Sequence, residues 1–147
     1  MNMENEDKLK EFMLKEIEII QDIIRRMGFN SFMIKGWAIT LVVVTLLLRG
    51  TEYQVWIAFI PLLVFWFLDA YFLWQERMYR KLYEWVTNNR LKTEEYLFDM
   101  NAYRFEGEVQ SRFRIMFSIT LGWFYVSIAI LIVIYSILLF LVSKGGS

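Results

Sequence analysis

Ile115 to Val142 is a run of 28 residues without a charge. As an α-helix it would be about 42 Å long, against a bilayer hydrocarbon core of roughly 30 Å. A helix of that length on a soluble domain needs a polar face to meet water, and this stretch has none. It therefore predicts a membrane span that tilts or projects a turn or two beyond the lipid core.

Two further stretches have the same character. Phe32 to Leu48 is 17 residues long with a single charge, Lys35, near its start, which is about the minimum for a crossing. Val55 to Trp74 is 20 residues long and is interrupted by Pro61 and Asp69, both tolerable where neighbouring helices supply partners. Arg49 to Gln54 reads as the short turn between them. Gly28-Phe29-Asn30-Ser31 predicts a helix break before the first span, with Asn30 or Ser31 capping the next helix. The second span is expected to continue as a charged and aromatic helix towards Val86 and to stop at Asn88-Asn89. Residues 90–111 show no clean period and read as mixed helix and loop. The expected fold is thus an all-α membrane protein. It has an amphipathic helix at 1–29, a hairpin at 30–76 (spans 32–48 and 55–74), a charged-aromatic segment at 77–114 and a third span at 115–143.

The N-terminal helix is charged throughout. Met13, Ile17, Ile20, Ile24 and Met27 recur at spacings of four and three, which sets them on one stripe. Glu4 with Lys8, Glu11 with Lys15 and Asp22 with Arg26 stand four apart in the favourable acid-first order. Over residues 3–27, seven acids face five bases. A helix built for an anionic lipid surface is normally basic, so this one is expected to pack on protein, its own neighbours or another copy. Its early charges are also unlike a cleavable leader, which starts basic and then turns apolar.

Composition narrows the chemistry. There is no cysteine and no histidine, which removes thiolate metal sites, cysteine nucleophiles and the commonest general base. Net charge is zero, which argues against a nucleic-acid binder. No phosphate loop or nucleophile motif occurs, so neither an enzyme nor a cofactor is expected.

Orientation is set by the basic residues. The first 36 positions hold six and the 75–114 segment holds eight, while the first turn has only Arg49 and the C-terminal end only Lys144. The positive-inside rule then puts the N-terminus and 75–114 in the cytoplasm and the C-terminus outside. In a hairpin centred near Glu52, Lys35 and Asp69 fall at the same depth, each 17 residues from the centre. Charges within a span face the bundle interior and take partners. Lys35 and Asp69 read either as a structural ion pair or as the lining of an ion or proton path.

Small residues at Gly122, Ala129, Ser136 and Ser143 stand seven apart, with Ser118, Tyr125 and Ile132 on the adjoining position. That spacing permits close helix packing, within one chain, across an oligomer seam, or around a pore. The cytoplasmic segment interleaves bases with rings: Arg77, Tyr79, Arg80, Lys81, Tyr83 and Trp85, then Tyr96, Phe98, Tyr103, Arg104 and Phe105. Arg77, Arg80, Lys81, Arg112 and Arg114 are candidate contacts for an anionic stackable ligand such as a nucleotide, or for lipid headgroups at the interface.

Ile34-Lys35-Gly36-Trp37, Phe65-Trp66-Phe67-Leu68-Asp69-Ala70-Tyr71-Phe72 and Gln75-Glu76-Arg77 resemble a group of small bacterial multi-pass inner-membrane proteins. The likeness covers roughly residues 30–80. Some proteins of that group act as membrane effectors of anti-phage defence, where a partner enzyme senses infection. The resemblance implies an inner-membrane setting with a cytoplasmic enzyme or nucleotide signal upstream; the apolar spans make the lipid bilayer a partner, and the small-residue seam makes further copies of the chain another. Composition and spacing leave two classes open, a channel-like or membrane-perturbing oligomer and a non-conducting adaptor subunit. The orientation can be tested directly, because the background holds no cysteine. A cysteine introduced at Ser147 should react with an impermeant maleimide from the periplasmic side and one at Asn89 should not; the reverse pattern would invert the topology.

Overall fold

The computed structural model describes residues 3–48 and 54–145; the turn expected at Arg49 to Gln54 falls almost wholly outside them, and the side chain of Ser143 is not described. The described chain is all helix and turn. Helix α1 runs Met3–Leu47, α2 Gln54–Asn89, α3 Arg112–Met116 and α4 Ile119–Gly145, with a 3-10 helix at Ala102–Glu108. Three of these, α1, α2 and α4, are long and apolar enough to cross a bilayer, α4 having the highest mean hydropathy, 2.8 over 18 residues within Ile119–Val142. The chain is a multi-pass membrane protein by the length and composition of its helices.

Two compact units divide the residues, Met1–Asn30 with Phe72–Ser111, and Ser31–Tyr71 with Arg112–Ser147. In the second unit α1 buries Ile34, Ala38 and Val42, and α2 buries Ala58, Leu62, Trp66 and Ala70. Both lines advance by four residues, a spacing that keeps side chains in one ridge, and three of the seven are alanines that let backbones come close. Helix α4 adds Leu121, Tyr125 and Ile132. The outer surfaces of these helices carry large apolar side chains, among them Trp37, Trp56, Ile60, Trp123, Ile130 and Phe140. Hydroxyls there turn back on their own helix: Thr40 donates to the Gly36 carbonyl at 2.9 Å and Thr45 to that of Leu41 at 2.7 Å. That is how polar groups persist on a surface without water.

In the first unit α1 buries Leu9, Glu16 and Ile20, and α2 buries Trp74, Met78, Leu82 and Val86. Ile20 is the only fully buried member of the N-terminal stripe; Met13, Ile17, Ile24 and Met27 are half-buried. The chain's own neighbours therefore cover part of that stripe. Helix α2 ends at Asn89, whose side-chain amide donates to the Trp85 carbonyl at 2.9 Å.

Two expectations about helix continuity need correction. Residues 28–31 do not break the chain, because α1 passes through them. Ser31 does not cap a helix; its hydroxyl donates to the Asp69 carboxylate. One interior glycine costs a helix only about 1 kcal/mol, too little to end one that is packed on both sides of it. The last apolar stretch, conversely, is not one helix. It is interrupted at Phe117-Ser118, where Ser118 N–H bonds to the Ile115 carbonyl at 2.9 Å and the Ser118 carbonyl accepts from Gly122 N–H at 2.7 Å. The Trp66 indole donates to the Met116 carbonyl at 2.8 Å, satisfying a backbone group at the interruption.

Gly28 gives a test of the continuous helix. A Cβ placed there meets nothing within 4 Å, so Gly28→Ala removes backbone entropy from the unfolded chain at no steric cost. The variant should be more stable by about 0.5–1 kcal/mol, read as a higher thermal midpoint in detergent. A lower midpoint would mean that residue 28 has a non-helical conformation.

Candidate functional site: a buried polar cluster in the apolar unit

Asp69 on α2 is fully buried among apolar neighbours. A bare carboxylate in such a place costs several kcal/mol, and the second unit supplies it with donors from two other helices. Lys35 Nζ of α1 lies 2.7 Å from Asp69 Oδ2. Ser31, one turn earlier, donates to Asp69 Oδ1 and accepts from Lys35 Nζ at 2.7 Å. Tyr125 of α4 sits with its hydroxyl 3.1 Å from Asp69 Oδ2 and 3.2 Å from the Phe65 carbonyl, so its single proton is shared between them.

Aromatic rings close the cluster. Trp66 stacks on Tyr125 with centroids 5.6 Å apart and planes within 9°. Phe117 meets the other edge of Trp66 at 5.3 Å, and the Phe124 ring lies 5.9 Å from Lys35 Nζ. Both Asp69 oxygens are engaged and the charges of Lys35 and Asp69 cancel. Within one chain this geometry clamps three helices together, with one donor on Oδ1 and two on Oδ2.

The small-residue positions of the last span lie beside this cluster. Tyr125 and Ile132 are buried, whereas Gly122, Ala129 and Ser136 flank that line and are half-buried. Ser118 precedes α4, and its hydroxyl is buried without a hydrogen-bond partner. Phe117, Ser118, Ile119, Gly122, Trp123 and Val126 line an open groove of roughly 340 Å³.

The basic residues singled out in the charged-aromatic segment are engaged locally. Arg77 donates to Gln110 at 3.0 Å, Arg80 to Glu76 at 2.7 Å and Lys81 to Glu84 at 2.8 Å. The hydrogen bond to Glu84, then the charge of that carboxylate, raise the pKa of Lys81 above its ordinary value. Arg112 and Arg114, on the short α3, are exposed and also have interactions within the chain.

A second buried charge pair organises the first unit and is not among the residues singled out from sequence. Arg90, fully buried, donates from Nε to Glu16 Oε2 at 2.5 Å and from Nη2 to Oε1 at 2.9 Å. Its remaining donors reach the carbonyls of Thr93, Glu95 and Tyr96 at 2.8–3.0 Å. Glu16 Oε1 also accepts the Phe98 N–H at 2.7 Å. One signal for this pair was present in the sequence, since Glu16 falls between Met13 and Ile20 on the otherwise apolar stripe. Its partner is 74 residues away, in a segment without periodicity.

Searches of the chain against known protein families, curated proteins and solved structures find no match in any of the three.

The clamp predicts strong coupling between Lys35 and Asp69. Lys35→Met strands the fully buried Asp69 carboxylate and should cost about 3–5 kcal/mol, and Asp69→Asn, which leaves the half-buried Lys35 ammonium unpaired, should cost less, both seen as lost folded yield in detergent. The double substitution should recover most of that loss. A double variant as poor as the two singles combined would mean that the two side chains act separately.

Proposed function

We propose that this chain is a bacterial inner-membrane protein whose copies assemble into a channel-like or membrane-perturbing effector. Its N-terminus and the 77–114 segment face the cytoplasm, and it is gated from that side by a partner enzyme or nucleotide signal. The resemblance of residues 30–80 to membrane effectors of anti-phage defence is what suggests that setting. The observation that carries the oligomer is the bare surface of α4. Among the buried hydrophobic residues only Leu121, Tyr125 and Ile132 come from it, while Ile119, Trp123, Ile130, Leu131, Leu138 and Phe140 are exposed. The groove at Gly122 adds a place where another helix can approach closely. Three spans from one chain are too few to enclose an aqueous path, so conduction requires a path built between copies.

A non-conducting adaptor is the second reading, and one observation favours it. Arg90 holds a turn that displays Tyr96 and Phe98 to solvent, with the Phe98 ring edge-on to Phe12 at 5.7 Å. An ordered aromatic turn outside the apolar unit suits recruitment of a soluble partner.

Mass measurement in mild detergent, paired with dye release from liposomes, separates the readings. A Cβ at residue 122 meets nothing closer than the Phe117 backbone at 3.7 Å, an ordinary contact, so a side chain there can start without disturbing the fold. The protein should be a discrete oligomer that releases dye, and Gly122→Leu or Ala129→Leu should shift it to smaller species and reduce release at least tenfold. A monodisperse monomer that neither leucine affects removes the pore and leaves the adaptor.

A further inference from the structure

Three rings in the first unit surround one cation. Arg104 Cζ lies 4.4 Å from the centroid of Tyr96, 4.6 Å from Trp85 and 5.1 Å from Phe105, all inside the range of a cation–π contact. Trp85 comes from α2, Phe105 is buried on the 3-10 helix, and Tyr96 belongs to the turn between them. Tyr96 and Trp85 meet edge to face at 5.9 Å, forming a corner. Arg90, neutralised by Glu16, stands 5.3 Å from the same indole.

The corner is built at a backbone cost. Tyr96 and Phe98 have φ of 56° and 55°, a left-handed conformation that bulky residues rarely adopt. The turn is held there because Arg90 bonds the carbonyls of Thr93, Glu95 and Tyr96, and Glu16 accepts from Phe98 N–H. Conformations of this kind persist where the surroundings over-determine them, and they cluster at ligand clamps.

The occupant fits the rings but not the rest of its surroundings. All three guanidinium nitrogens of Arg104 are buried and none makes a hydrogen bond. The nearest carboxylate oxygen, Asp99 Oδ2, is 3.8 Å from Nη1, beyond bonding reach. Buried donors left unpaired are destabilising, more so on a charged group. The enclosure thus offers aromatic faces, one carboxylate at its edge and no acceptor within hydrogen-bond reach of the guanidinium. A cation without N–H groups would bear no such penalty, and quaternary ammonium is the cation that aromatic cages of this kind recognise.

We propose that Trp85, Tyr96 and Phe105, with Asp99 at the rim, form a binding site for a trimethylammonium group, which Arg104 occupies in the absence of ligand. The Arg104 side chain is 20% exposed while its nitrogens are buried, so its carbon atoms face water and the guanidinium swings out past them when a ligand enters. The group has two possible sources, a choline phospholipid headgroup or a free quaternary amine. The site stands independently of whether the protein conducts.

The test uses the full chain in maltoside micelles, because phosphocholine detergents would compete. Tetramethylammonium binding is measured by saturation-transfer NMR on its methyl signal. Arg104→Ala and Arg104→Gln, which empty the enclosure or neutralise its occupant, should each bind at least about tenfold tighter than the original chain. Adding Tyr96→Leu to either should lose that gain, and methylammonium, which keeps its N–H groups, should bind more weakly than tetramethylammonium. Glycerophosphocholine binding as tightly as tetramethylammonium assigns the site to a lipid headgroup; its exclusion, with choline retained, assigns it to a free amine. Equal affinity in the original chain and both Arg104 variants overturns the proposal. So does unfolding of both variants, which would make Arg104 a structural cation. Inorganic phosphate binding that requires Arg104 would overturn it as well, in favour of an anion site.

Discussion

Asp69 sets the terms for the second unit. Its carboxylate is removed from water and surrounded by residues selected for an apolar solvent, where isolated charge costs more than any single contact returns. Ser31 and Lys35 answer from α1 and Tyr125 from α4, so the groups that make the charge tolerable also join the three apolar helices. Van der Waals packing alone gives helices in lipid little preference among registers, because lipid tails are as apolar as the side chains. A carboxylate that must be met by particular donors selects one register. Trp66 extends the same logic, stacking on Tyr125 while its indole N–H satisfies the Met116 carbonyl where the chain turns into α4.

The first unit solves a different problem by the same means. Its connection from α2 to the 3-10 helix lacks the periodic apolar residues that would shape it. Arg90 substitutes for them, with its guanidinium donors all spent on Glu16 and three carbonyls. Because Glu16 also accepts Phe98 N–H, a pair of side chains fixes the path of about nine residues and sustains two left-handed backbones within it. Arg104 is the contrast. It is held by rings and left without hydrogen bonds, so two arginines in one unit have opposite accounts of their donors.

These arrangements bear on how a membrane assembly could work. The Lys35–Asp69 pair inside each chain keeps the carboxylate from the lipid. A route, if copies form one, lies along surfaces that a single chain leaves bare, chiefly that of α4. In the 77–114 segment Arg77, Arg80 and Lys81 are each engaged by a side chain of the same unit.

Sequence alone determined the solvent of this protein. Uncharged length and basic-residue placement are one-dimensional quantities, so three apolar spans, the shared depth of Lys35 and Asp69, and the stop at Asn89 could be read along the chain. Local signals were weaker where packing competed with them. Gly28 and Asn30 favour a break, yet packing on either side of them carries α1 through. Ile115 to Val142 favours one helix, yet the chain turns at Phe117-Ser118, where Trp66 takes up the Met116 carbonyl. Only tertiary structure could pair Glu16 with Arg90, seat Tyr125 on Asp69, or surround Arg104 with Trp85, Tyr96 and Phe105. Each of those depends on which distant side chain arrives to satisfy a buried charge, and that is decided by the geometry of packed helices.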